Sequence, residues 1–216
     1  LAFVTDLVLY PTLPDIPPLE TVAGYYTVIL RELLVGIGLG FAVTLVFSAI
    51  YLAGQLIDVP MGFGMVNVVD PQSGLQVPIF AQFQYILAAL VFLSVRGHHA
   101  LLQALSTSFA VIPVGETMAP NGLSMVLFEV FVKMFYLGVK LSLPLVTGLL
   151  LADIALGIVA RAVPQINIFV VGFPAKILLG IPLFILVLPA YVALLTRVFN
   201  AQGELGAVIK SVLGSF

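Results

Sequence analysis

The chain has 216 residues, 62% hydrophobic and 8% charged, with a mean hydropathy of +1.23 and a formal net charge of −2. Water-soluble domains carry about 45–50% apolar and about 25% charged residues, so this composition excludes a soluble monomer, and the length suits one domain over 1–216. Eight Lys and Arg scattered singly give no basic patch for nucleic acid, and the lack of cysteine excludes disulfides, iron–sulfur clusters and thiolate metal sites.

In chain order, the opening Leu1-Ala-Phe-Val-Thr-Asp-Leu-Val-Leu-Tyr10 is apolar without the positive region of a signal peptide. It reads as the stub of a truncated N-terminal helix. A break at Pro11 to Pro18 leads to an uncharged run from Leu33 to Ile57, 25 residues long. At 1.5 Å per residue that is about 37 Å of helix, against about 30 Å of membrane hydrocarbon. A second break, Asp58 to Gly74, precedes an uncharged run of equal length from Pro71 to Val95. Arg96-Gly97 interrupts it, and Gly97 to Gly115 approaches spanning length. Past a break at Gly115 to Gly122, the runs Leu141 to Ala152 and Ala162 to Ala175 are too short to span alone, while Ile177 to Thr196 is nearly long enough. Pro164 to Asn167 reads as a turn. Continuous apolar runs without alternation exclude strands, so the expected fold is all-α, a multi-helix membrane-type protein of six or seven helices. Internal Pro144, Pro174, Pro182 and Pro189 predict kinks.

Most of the residues that invite a chemical reading have a plainer one. Gly36 and Gly40 sit i and i+4 inside an apolar helix, the small-xxx-small spacing that lets helix backbones approach, and the spacing is wrong for a dinucleotide loop. His98 and His99 point about 100° apart on a helix and lack further ligands for a metal. Glu129, Lys133 and Lys140 fall within about 40° of one another on a helical wheel, a charged stripe that reads either as a partner contact or as a local i,i+4 pair. No nucleophile elbow, metal-binding helix motif, phosphate loop or paired carboxylates supports catalysis, and no cofactor is implied. The segment Asp58 to Gly74 is different: Met61, Phe63, Met65, Val66, Val68 and Val69 are costly in water for a turn, so it should be buried or line a constriction.

Five stretches in this order, Gly54-Gln-Leu-Ile-Asp58, Met61-Gly62, Asn67-Val-Val-Asp-Pro-Gln-Ser-Gly74, His98-His99 and Arg161-Ala-Val-Pro-Gln-Ile-Asn-Ile-Phe-Val-Val-Gly-Phe-Pro-Ala-Lys176, resemble the FliR family. The resemblance implies a subunit of the flagellar type III export gate, in the bacterial inner membrane at the flagellar basal body. There it would join FliP and FliQ in a helical ring around a channel for unfolded flagellar substrates, with FlhB at the entrance. It also implies that the loop between two long helices plugs that channel, through Met61, Phe63, Met65 and Val68, although related sequences can carry Phe at the last two. Glu129, Lys133, Lys140, Asp153, Arg161 and Lys176 are then expected at subunit interfaces, besides contact with membrane lipid. A small-solute transporter is the competing class, but the motif order shows no inverted repeat.

Overall fold

The computed structural model describes residues 22–63, 78–112, 122–165, 167–200 and 202–214. Its elements are α-helices: α1 Val22–Met61, α2 Ile79–Ser94, α3 Gly97–Val111, α4 Leu123–Ala162, α5 Ile168–Phe199 and α6 Glu204–Leu213. The expected stub at Leu1, the break at Pro11 to Pro18 and most of the break at Gly115 to Gly122 lie outside the described residues.

Helices run further than the uncharged stretches. α1 passes through Arg31, Glu32 and Asp58, and α4 contains Glu129, Lys133, Lys140 and Asp153 without interruption. The reason is that helix continuity is decided by the backbone ladder: long outward side chains such as Lys133 and Lys140 can carry their charge away from the apolar body, and the buried Asp58 carboxylate is held by hydrogen bonds instead. Leu141 to Ala152 is therefore the middle of a 40-residue helix. Two turns do fall as expected. Arg96, in the left-handed region at φ 58°, separates α2 from α3, and the turn at Pro164 and Gln165 separates α4 from α5. Among the described residues three stretches are long and apolar enough to cross a membrane, Val22–Met61, Leu123–Ala162 and Val170–Leu213, and α2 and α3 meet the same test when taken together. Helix hydroxyls bond back to their own backbone, as Thr44 does to the Gly40 carbonyl at 2.8 Å and Thr196 to that of Val192 at 2.9 Å, so they carry no open hydrogen-bonding demand into an apolar surround.

The chain divides into two compact units, each assembled from stretches far apart in sequence. The first comprises, among the described residues, the chain up to Leu45, Leu93–Phe131 and the chain from Val198 onward. Here α6 buries Leu205, Val208, Ile209, Val212 and Leu213, an i, i+3, i+4, i+7, i+8 face, with Glu204 and Lys210 placed to suit the helix dipole. α6 lies against α3, the two lining a cleft of about 300 Å³.

The second unit, Val46–Phe92 with Val132–Arg197, carries the region of functional interest. Its core is Ile57, Met61, Phe80, Leu145, Leu149 and Phe184, with the Phe80 and Phe184 rings edge to face at 4.9 Å. Four glycines make this packing possible. A Cβ at Gly54 would land on the Ala81 backbone, one at Gly138 would sit 2.7 Å from the Ala49 carbonyl oxygen, one at Gly148 would strike the Leu183 side chain, and one at Gly180 would lie 2.9 Å from the Met61 Cε.

Candidate functional site

The segment singled out in the sequence begins four residues later than expected. α1 continues through Asp58 and Pro60 to Met61, and only Gly62 breaks it, at φ +96°. The helix is held this far because Ile57 and Met61 are core residues and because the Asp58 carboxylate is fully engaged. Gly62 then supplies the left-handed residue with which many helices end, its N–H donating to the Val59 carbonyl at 3.1 Å. A Cβ at Gly62 would lie 3.2 Å from the Phe173 Cδ1, so the exit from α1 is closed down on α5 as well as turned.

Of the four residues expected to plug a channel, two are described. Met61 is 1% exposed and packs against Gly180 and Leu149, and Phe63 is half-buried against the same core. Met65 and Val68 lie outside the described residues.

Asp58 is 5% exposed, and its two oxygens accept from the backbone N–H groups of Phe80 at 2.9 Å and Ala81 at 3.1 Å. In the sequence it read as the first residue of a loop. Its role was invisible there because its partners are 22 and 23 positions away and are backbone groups, which no residue type advertises.

The expected interface residues separate into two groups. Glu129, Lys133 and Lys140 are exposed along α4, and Arg161 is exposed in its last turn. Asp153 and Lys176 instead meet in an ion pair between α4 and α5, the Lys176 ammonium also lying 5.9 Å from the centre of the Phe173 ring. This pairing had a signal that was missed: a helical hairpin turning between Pro164 and Gln165 puts positions equally far on either side opposite each other, and 153 and 176 are such a pair. The pair borders a cleft of about 230 Å³ lined by small residues, Gly157, Ala160 and Gly172. Gly36 and Gly40 are exposed, and a Cβ at either would meet nothing within 4 Å among the described residues. His98 and His99 are exposed at the start of α3, and among the described residues no group of three or more potential metal ligands gathers.

The model of the family "Bacterial export proteins, family 1" matches residues 1–202. The chain is 38% identical to the flagellar biosynthetic protein FliR of Bacillus subtilis over 216 residues, 99% of this chain and 83% of that one. The chain belongs to the FliR family. It is also 34% identical to FliR of Escherichia coli K12, over 99% of this chain and 82% of the other, and 32% identical to that of Aquifex aeolicus, over 79% and 66%. FliR-family membership and the apolar helices agree on one class of protein, a component of bacterial protein export with helices suited to a membrane.

Proposed function

We propose that the chain is a core, non-enzymatic subunit of the flagellar protein-export gate in the bacterial cell membrane, and that the segment opening at Gly62 seals its protein-conducting pore. The single observation that carries this reading is similarity along almost the whole chain to proteins named for flagellar biosynthesis. Its partners in this reading are FliP and FliQ, in a ring, with FlhB, and the cargo is unfolded flagellar subunits. Sealing is supported by the chemistry of the segment, which is too apolar for water, and by the seating of its incoming stem on α5. Met61 belongs to that stem, so the sealing contacts fall to Phe63, Met65 and Val68, where the flexible methionine fills irregular space.

The exposed stripe of Glu129, Lys133 and Lys140 is the proposed assembly surface on α4, with Arg161 at its end. A long apolar helix has little reason to show charges outward to lipid, whereas a partner subunit or an aqueous edge accommodates them. In this reading the Asp153–Lys176 pair is internal support for the α4–α5 hairpin, and its bordering cleft faces the assembly. Affinity purification of the tagged chain from membranes, with mass analysis of the intact complex, tests the proposal: recovery with FliP and FliQ supports it, and recovery alone as a free-standing protein sinks it. Lys140→Leu should lower the yield of partner subunits, and unchanged recovery would remove the stripe from the interface.

A further inference from the structure

Among the described residues, the start of α2 has no cap of its own. The Pro78 carbonyl accepts the first helical bond, from the Gln82 N–H at 3.0 Å, so Pro78 stands in the cap position. There an ordinary helix places Ser, Thr, Asn or Asp, whose side chain accepts from the second and third N–H groups of the helix. Proline has no such acceptor. The second and third N–H groups are those of Phe80 and Ala81, and they are the two that Asp58 takes from α1.

We infer that Asp58 is a positioning residue: a cap supplied across the hairpin, which ties the start of α2 to the end of α1 and so fixes the two chain ends, Phe63 and Pro78, that bracket the segment between the helices. Three observations converge on it. The carboxylate is buried and spends both oxygens on the tie. Gly54, one turn earlier on α1, is bare so that the Ala81 backbone can come into contact with it. Phe80, whose N–H is one of the two held, is also wedged edge to face on Phe184 of α5. A local cap would satisfy the same N–H groups equally well, but it would leave the position of α2 along α1 to side-chain packing alone. The use of a residue on another helix is what converts capping into registration. The inference deepens the seal proposed above and rests on it for its functional consequence, though not for its geometry.

The test separates capping from tying. Asp58→Ala combined with Pro78→Asp returns an acceptor to α2 in the ordinary position while cutting the tie to α1. These 216 residues contain no cysteine, so spin labels at Val59→Cys and Ile86→Cys, both outward-facing, report the spacing of the two helices in the assembled complex. In the otherwise unaltered chain the distance distribution should be a single narrow peak; in the double variant it should broaden. Potassium efflux from cells carrying each variant, at matched recovery of partner subunits, gives the functional arm, and the double variant should leak. A narrow, unshifted peak in the double variant would overturn the inference, since local capping would then suffice. Broadening without leak, while Gly at Phe63, Met65 and Val68 does leak, would overturn the functional consequence of the tie and leave the seal standing. If neither set leaks, the seal is what fails, and the registration is judged by the distances alone. Should the alanine variants not assemble, Asp58→Asn, which keeps the shape and one acceptor oxygen, is read the same way, with a smaller broadening expected and an unchanged peak again counting against the inference.

Discussion

The two halves of α1 are alike in composition and unlike in surroundings. From Val22 to Phe41 the helix shows Tyr25, Tyr26, Ile29, Leu33 and Ile37 outward, and a Cβ would find open space at Gly36 and Gly40. From Ala42 to Met61 it buries Ala42, Val46, Ala49, Ile50, Ala53, Ile57 and Met61, with Gly54 pressed on Ala81. The same alphabet of glycine, alanine and branched apolar residues thus produces a surface that stays open within the chain and one that is closed by it. What distinguishes them is the neighbour. Apolar surface left exposed along a helix suited to a membrane is covered by lipid or by another subunit, and small residues on it mark places where another backbone can come close.

That contrast is easiest to break at its tightest point. Gly54→Val should have the largest effect, because the added atoms fall on backbone, which cannot step aside as a flexible side chain can; the cost is about 3 kcal/mol. The expected outcome is loss of the chain from membranes, read by its steady-state level and by unfolding in detergent. Wild-type stability would show that the α1–α2 contact is not the close one described.

A smaller effect of opposite sign should follow at Gln84, on the closed side of α2. It is 0% exposed, and among the described residues neither its amide nitrogen nor its amide oxygen has a hydrogen-bond partner. Gln84→Leu should stabilise the chain by about 1 kcal/mol, since it removes an uncompensated polar group at similar volume. A clear loss of stability would mean that the amide is satisfied in the assembled protein.

The smallest intrinsic effect belongs to the open half. Gly36→Ala has nothing to strike among the described residues and gains helix propensity, about 0.5 kcal/mol. If Gly36 and Gly40 serve helix packing between subunits, the same substitution should nonetheless reduce partner recovery. Stability up with recovery unchanged would leave these glycines without an interface role.

Much of this was legible in the sequence, and the particular residues show where legibility ends. The apolar runs and the turns at Arg96 and Pro164 fix the helices because they are properties of composition and backbone chemistry. Charges were misleading as helix boundaries: Glu129, Lys133 and Lys140 ride on the outside of α4 and leave its backbone ladder intact. The spacing of Gly36 and Gly40 was readable, but equally small residues at Gly54, Gly138, Gly148 and Gly180 make the close approaches actually seen, and spacing alone cannot say which glycine meets a backbone. Asp58 is the plainest case. Its identity pointed to a loop, whereas its partners, two N–H groups on another helix, make it the fastening of a hairpin.

The central claim, that this chain contributes the seal of an export gate, is tested most directly by potassium efflux from cells in which Phe63, Met65 and Val68 are all replaced by glycine, at unchanged recovery of FliP and FliQ. The account predicts a leak that the unaltered chain does not show. Cells that remain tight, with the complex fully assembled, would contradict it.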